Sequence, residues 1–171
     1  MSERAFPYGL DADGGERLRF SGAEVLVKAS AESTGGAFLI VEEISPLDTP
    51  RHVHEREDEL FFVLEGEHVF EIGDEEFGIG PGGMAFGPRG VPHAQRRVVP
   101  RTGRTLTMCS PAGFEGFFRE LAQAESSGSL GPEAHARVWS GTESPGSRPL
   151  RLSALRAALA PTRPARYMCR P

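Results

Sequence analysis

Three histidines and one glutamate have the residue types and the spacing of a metal site. His52 and His54 are two residues apart, and in a β-strand this spacing sends both side chains to the same face. Glu59 opens an apolar run typical of a second strand, and His93 follows the turn residues 88–90. Three imidazoles and a carboxylate suit a divalent metal of the first transition row, with positions left for water or substrate. A His-x-His pair alone could also be two solvated histidines in a loop. The presence of Glu59 and His93 makes this alternative weaker.

The same residues lie in two segments that resemble the paired motifs of the cupin superfamily. The first segment is His52-x-His54-x4-Glu59-x6-Gly66, and the second is Gly82-x5-Pro88-x-Gly90-x2-His93. Their order and spacing are similar to those of the family at every required position but two. The sequence has Pro46 where the family has a leading glycine and Arg97 where it has a closing asparagine.

Neither departure falls on a position that binds metal in the family. The resemblance therefore implies one divalent ion, either Fe, Mn, Ni, Co, Cu or Zn, held by His52, His54, Glu59 and His93. Arg97 lies on the inward face and would bring a positive charge towards a pocket, but a position at the rim that faces water is the favoured interpretation.

The elements around these residues are short strand-like runs, with glycine and proline at the turns. This pattern predicts an all-β antiparallel barrel or jelly roll, and the resemblance implies the cupin double-stranded β-helix. We expect an N-terminal arm over 1–16, the barrel over 17–111, and a short C-terminal helix with an extended, poorly structured tail over 112–171. Residues 33–36 are predicted to form a turn, and Glu42 and Glu43 the solvated end of the strand over 37–45.

Period-two alternation predicts which side chains line the pocket. Phe61 and Val63 follow Glu59 inward, and Gln95 shares the face of His93. We predict that Phe61, Val63 and Gln95 contact the substrate. For Gln95 an equally weighted alternative is a satisfied amide at the barrel rim.

Other polar residues are not expected to bind the metal. His68 is interpreted as a structural or surface histidine, and Asp58 must face away from the barrel because it is adjacent to Glu59 on the same strand. Cys109 is expected to be a buried structural thiol, and His135 lies in the tail.

The segment after the last predicted strand carries an apolar helical stripe. Phe114, Phe117, Phe118 and Leu121 are spaced i, i+3, i+4 and i+7. The favoured interpretation is a helix that closes or flanks the barrel, and the alternative is an aromatic lid over a substrate entrance. This placement also resembles the quercetin-dioxygenase-like branch of single-domain cupins. The tail beyond is expected to be disordered or draped on a partner subunit, with a short helix over 150–159.

Composition narrows the class of protein. The chain has 171 residues, 39% of them hydrophobic, and a net charge of −5, which fits one ordinary domain without a basic nucleic-acid surface. No leader-like or membrane-spanning apolar segment is found, and two distant cysteines fit a reducing compartment, so a cytoplasmic protein without membrane contact is expected. We also expect a homodimer.

The resemblance implies a metal-dependent dioxygenase that acts with O₂ on a small aromatic, flavonol-like or enolisable carbonyl compound. In that branch the glutamate also serves as the base, which makes Glu59 a candidate catalytic residue as well as a ligand. Two alternatives stay open. One is a non-redox isomerase, decarboxylase or cyclase, and the other is a small-molecule-binding cupin without catalysis.

Overall fold

The computed structural model describes residues 5–98 and 103–128. Within these ranges the chain forms nine strands and two helices. The strands are β1 (Glu16–Phe20), β2 (Ala23–Ala29), β3 (Leu39–Ile44), β4 (Asp58–Glu65), β5 (His68–Ile72), β6 (Glu75–Ile79), β7 (Met84–Gly87), β8 (His93–Arg97) and β9 (Arg104–Ser110), and the helices are α1 (Ala31–Thr34) and α2 (Glu115–Ser126).

The strands form two antiparallel sheets. The larger sheet has the order β1-β2-β3-β9-β4-β7, and the smaller has the order β6-β5-β8. The crossovers, such as β9 lying between β3 and β4, are typical of a jelly roll and not of a meander. The all-β jelly-roll fold with a short helix after the last described strand is therefore confirmed.

Strict alternation fills the space between the sheets. Along β9 the side chains of Thr105, Thr107 and Cys109 are buried, while their neighbours are partly exposed. One core cluster joins β1, β2, β3 and β9 to helix α2, and a second joins β4, β5 and β7. The second cluster packs the two sheets face to face through Phe61, Val63 and Phe70.

Helix α2 closes one end of the barrel. Phe118 and Leu121 are buried in the first cluster, and the ring of Phe118 stacks on Phe20 with centroids 6.1 Å apart. The carboxylate of Glu115 accepts hydrogen bonds from the backbone N–H groups of Gly113 and Ala31, which ties the start of α2 to the start of α1. The predicted apolar stripe is present, and it serves as a closing element.

Two expectations about β3 and its approach need correction. The turn expected over 33–36 is present only at residues 35 and 36, because a one-turn helix over 31–34 precedes it and is started by a capping box of Ser30 and Ser33. Glu42 and Glu43 are not a solvated strand end. Glu42 is buried on the outer face in ion pairs with Lys28 and Arg104, and Glu43 points inward.

No helix in the described ranges is long and apolar enough to cross a bilayer. The expectations for His135, for the helix over 150–159 and for the tail beyond residue 128 lie outside the described residues.

Candidate metal centre

Backbone pairing brings the four candidate ligands together. His52 forms a bridge to His93, with the two N–H···O bonds at 2.9 and 2.8 Å, so the segment before β4 extends the small sheet beyond β8. Gly90 has a positive φ of 74° in the turn before β8, and its N–H donates to the backbone oxygen of His54. Glu59 enters from β4 in the facing sheet.

Hydrogen bonds to the backbone orient two of the imidazoles. The Nδ1–H of His52 donates to the oxygen of Pro50 at 2.8 Å, and the Nδ1–H of His93 donates to the oxygen of Val91 at 3.0 Å. With Nδ1 occupied in this way, Nε2 is the nitrogen that each ring offers to a metal, the usual second-shell arrangement of a metal-bound histidine.

The donor atoms surround a single point. His52 Nε2 lies 3.2 Å from His54 Nε2, and Glu59 Oε2 lies 2.9 Å from His93 Nε2 and 3.4 Å from His54 Nε2. One donor atom from each of the four residues lies within 4.8 Å of the others, and all four residues are buried. Two donors at about 2.1 Å from one ion and at right angles to each other are about 3.0 Å apart. The four residues therefore fit one divalent ion.

Burial sets the charges of the site. It lowers the pKa of His52 to about 4 and lowers that of His54, which keeps both imidazoles neutral and able to bind a cation. Burial raises the pKa of Glu59, but the His93 hydrogen bond and the electrostatic effect of the three imidazoles together lower it. For His93, burial lowers the pKa, and the hydrogen bond and charge of Glu59, with the backbone oxygen of Val91, together raise it. A bound cation would take the place of the proton shared by this pair.

The other polar residues considered from sequence lie away from this point. Asp58 faces outward and accepts hydrogen bonds from Arg89, which lowers the pKa of Asp58 to about 2. His68 is buried, not on the surface, and its ring contacts the side chain of Gln95 and the backbone oxygen of Glu65. Each residue has a structural partner of its own.

Arg97 and Cys109 also have clear surroundings. Arg97 is partly exposed and donates to Asp48 at the edge of the barrel, in agreement with a rim position. Cys109 is fully buried, and its thiol lies 3.7 Å from Glu59 Oε1. Burial raises the pKa of this thiol well above its ordinary value, so it acts as a neutral donor to the carboxylate.

A cavity adjoins the candidate ligands. It is lined by three groups of residues: His52 and Glu59; Glu43, Thr49 and Gln95; and the apolar residues Phe20, Ala23, Val25, Pro46, Leu47, Phe61, Phe114, Phe117 and Phe118. The cavity has about 570 Å³ of empty space, including its opening to solvent. Only about 40 Å³ of it is available to the centre of a water molecule. It is a narrow, mostly apolar chamber.

Two of the three predicted substrate contacts line this chamber. Phe61 and Gln95 both face it, and Gln95 is buried with its amide against His68, so it is not a residue of the rim. Val63 also points inward but packs within the second core cluster. The substrate-binding role of all three residues stays a prediction.

Aromatic side chains of the α2 segment cover the chamber. The ring of Phe114 meets that of His54 edge to face, with centroids 4.5 Å apart, and stacks on Phe117 at 5.0 Å. Phe114 and Phe117 thus form a wall of the chamber, while Phe118 and Leu121 hold the helix in the core. The segment that closes the barrel, helix α2 with its N-cap Phe114, is thus also the segment whose aromatic side chains cover the chamber.

Sequence reasoning missed a second carboxyl in the chamber, that of Glu43. Its Oε1 accepts a hydrogen bond from the hydroxyl of Thr107 at 2.9 Å. Burial raises the pKa of Glu43 to about 7, the Thr107 hydrogen bond opposes the rise, and the Glu59 carboxylate adds to it. Alternation from the buried Leu39 and Val41 was the signal that could have placed Glu43 inward.

We expect Glu43→Gln to stabilise the metal-free protein at high pH. Because the pKa of Glu43 is raised from 4.5 to about 7 by folding, the folded state holds an extra proton between these values, and stability falls as pH rises through them. Above pH 7 the variant should gain on the order of 1–3 kcal/mol, and near pH 4.5 almost nothing. Urea unfolding at both pH values measures this. Equal stability of the two proteins at pH 8 would contradict it, and the exposed Glu76→Gln serves as the control.

Comparison with known proteins agrees with this architecture. Residues 41–107 match the model of the Cupin domain family, Cupin_2. The chain is 28% identical over 123 residues to a quercetin 2,3-dioxygenase of Bacillus subtilis (strain 168), a match that covers 71% of this chain and 36% of the relative. The chain therefore spans only about a third of that relative's length.

Solved structures show the same fold. A RmlC-like cupin from Shewanella frigidimarina has a TM-score of 0.55 at 17% identity, covering 67% of this chain and 98% of that one. KdgF from a Halomonas species has a TM-score of 0.54 at 17% identity, covering 63% of this chain and 97% of that one.

The jelly roll and the family match together identify residues 41–107 as a cupin domain. By sequence, this domain is similar to a quercetin 2,3-dioxygenase.

Proposed function

We propose that this protein is a metal-dependent enzyme, a dioxygenase that acts on a small enolisable carbonyl or aromatic compound with O₂. The observation that carries the proposal is the buried set of three imidazoles and one carboxylate, whose donor atoms lie within 4.8 Å of one another. The similarity to a quercetin 2,3-dioxygenase supports the reaction class. A redox-capable divalent metal bound there would supply a Lewis acid for a substrate oxygen and a partner for O₂.

Within this proposal Glu59 has two roles, as a ligand and as the base. Its Oε2 lies at the metal point, while Oε1 is held by the thiol of Cys109 and the residue faces the chamber. Burial raises the pKa of this carboxyl, but the His93 hydrogen bond and the three imidazoles together lower it, so the carboxylate is ionised. It can therefore accept the hydroxyl or α-carbon proton of an enolisable substrate, a transfer worth about 10²–10⁴-fold in rate.

The size of the chamber favours a compact substrate. Its small free volume suits a ligand of one ring or less, and a three-ring flavonol requires Phe114 and Phe117 to move. These two side chains contact the site directly, so their position sets which ligands enter. We therefore favour a diketone or a single-ring hydroxy ketone over a flavonol.

Oxygen uptake tests the reaction class. The protein is loaded separately with Fe²⁺, Mn²⁺, Ni²⁺, Co²⁺, Cu²⁺ and Zn²⁺ and assayed with 2,4-pentanedione and with quercetin. We expect O₂ consumption with at least one redox-capable metal and none with Zn²⁺. Turnover of these compounds without O₂ would instead identify a non-redox isomerase, decarboxylase or cyclase. Binding without turnover would identify a small-molecule-binding cupin.

We further propose that the protein forms a homodimer through the outer face of the larger sheet. Phe62, Leu64, Met84 and Phe86 lie on adjacent strands of this face and are 36–45% exposed. Register places Phe62 opposite Met84 and Leu60 opposite Phe86, so the apolar surface is continuous. Continuous exposed apolar surface of this kind usually marks a protein interface.

The cytoplasmic location stays a prediction.

The double change Phe62→Lys and Phe86→Lys is expected to convert the dimer to a monomer, because two charges would be buried at the interface. Sedimentation velocity measures the mass. Phe77→Lys, an exposed aromatic residue on the smaller sheet, should leave the dimer intact. A monomeric wild-type protein, or a double variant that remains dimeric, would contradict this interface.

A further inference from the structure

The chamber holds a second polar end, apart from the metal point. Along β4, the side chains of Glu59, Phe61 and Val63 face inward, and each lies in a row of residues paired across the strands. Glu43 is in the same row as Val63, because both pair with Thr105 on β9. The Glu43 carboxyl extends into the next row towards Glu59, because it hydrogen-bonds to Thr107, which pairs with Phe61. One row is two residues, or about 7 Å along a strand. The two carboxyls thus lie at different depths of one chamber.

The hydrogen bonds of Glu43 leave one oxygen for a ligand. Thr107 donates to Oε1, and among the described residues no partner is found for Oε2. Glu43 lines the chamber. Thr105, which pairs with Glu43 on β9, does not line it, and its buried hydroxyl has no hydrogen-bond partner in the described part of the chain. The oxygen of Glu43 that Thr107 does not bind is therefore the polar group that this end of the chamber offers to a ligand.

We propose that Glu43, positioned by Thr107, is a substrate-binding residue whose Oε2 hydrogen-bonds to an oxygen at the end of the ligand far from the three histidines. This deepens the proposed function and rests on it. The ligand class is a compact molecule with a chelating carbonyl–hydroxyl pair at one end and a hydroxyl or carbonyl oxygen at the other. The apolar wall of Phe61, Phe114 and Phe117 would enclose the carbon skeleton between them.

The charge state of Glu43 fits this role. Burial raises the pKa of Glu43 to about 7, so near neutral pH the carboxyl is protonated in a large share of molecules and can donate as well as accept. A glutamine in its place has the same shape, with an amide oxygen for Thr107 and an N–H group for the ligand. Leucine has similar size without either group.

A matched pair of ligands isolates this contact. Kojic acid and allomaltol share one hydroxypyranone ring with the same chelating oxygens, and kojic acid alone carries a hydroxyl on the far side of the ring. Both compounds are titrated into the Zn²⁺-loaded protein in a calorimeter. The ratio of the affinity for kojic acid to that for allomaltol does not depend on the contacts with the metal, because these are the same for both. We expect a ratio of about ten for the wild type, a ratio near one for Glu43→Leu, and a ratio within about threefold of the wild type for Glu43→Gln.

Each other outcome has a definite meaning. A wild-type ratio near one, or a ratio that Glu43→Leu does not change, overturns the role of Glu43. Binding of neither ligand overturns the ligand class and this inference with it. Normal binding and a normal ratio without any O₂ uptake overturn the dioxygenase proposal alone. Thr107→Val is expected to lower the ratio partway, because Glu43 loses the donor that orients it.

Discussion

His52→Ala is expected to lower the affinity for divalent metal more than about 100-fold, since loss of an outer-shell partner alone costs 10–100-fold. His52 is one of four buried donors around one point, and its Nδ1–H is already used by Pro50. Because burial lowers the pKa of His52 to about 4, its removal takes away a neutral group and leaves no unpaired charge. Competition with a chromogenic chelator measures the affinity.

The fold should survive this change. His52 belongs to neither core cluster, so we expect a loss of about 1–2 kcal/mol in the free energy of unfolding and an unchanged circular dichroism spectrum. His68→Asn is the matched control, since His68 is also a buried barrel histidine but contacts Gln95 and Glu65. Metal affinity that falls equally in both variants would contradict the assignment of His52 as a ligand.

Glu59→Gln is expected to reduce the rate of the metal-loaded enzyme by about 10²–10⁴-fold while most of the metal stays bound. The amide oxygen can still contact the ion, but it cannot accept the substrate proton. Replacement also removes the charge that raises the pKa of His93, so this imidazole becomes neutral over a wider pH range. Single-turnover rates and metal content are measured on the same samples.

Asp58→Asn provides the neighbouring control. Asp58 precedes Glu59 on β4 but faces outward, where it pairs with Arg89. An exposed ion pair of this kind contributes little to stability, so rate and metal content should both stay at the wild-type level. An unchanged rate in Glu59→Gln would remove the base role from Glu59, and loss of all metal in that variant would leave only the ligand role.

The sequence predicted the fold because strand alternation and turn residues are local signals. Runs such as His68–Ile72 and Glu75–Ile79 appear as strands where they were expected. The four candidate ligands could be named because the spacing of two along a strand and the resemblance to the paired motifs need no tertiary information. The inward direction of Phe61 and Gln95 followed from the same alternation.

Features that depend on contacts between distant strands could not be read in this way. Glu43 looked like a solvated strand end because its partner Thr107 is 64 residues away, on β9. Cys109 was recognised as buried, but its contact with Glu59 arises only when β9 lies beside β4. The role of His68 as a buried partner of Gln95 likewise depends on the pairing of β5 with β8.

Elemental analysis of the purified, tag-free protein tests the central claim most directly. After reconstitution with each candidate divalent metal and removal of excess, we predict one tightly held ion per chain in the wild type. The same treatment should leave little metal on His52→Ala and wild-type metal on His68→Asn. Failure of every metal to remain on the wild-type protein would contradict a metal centre built from His52, His54, Glu59 and His93.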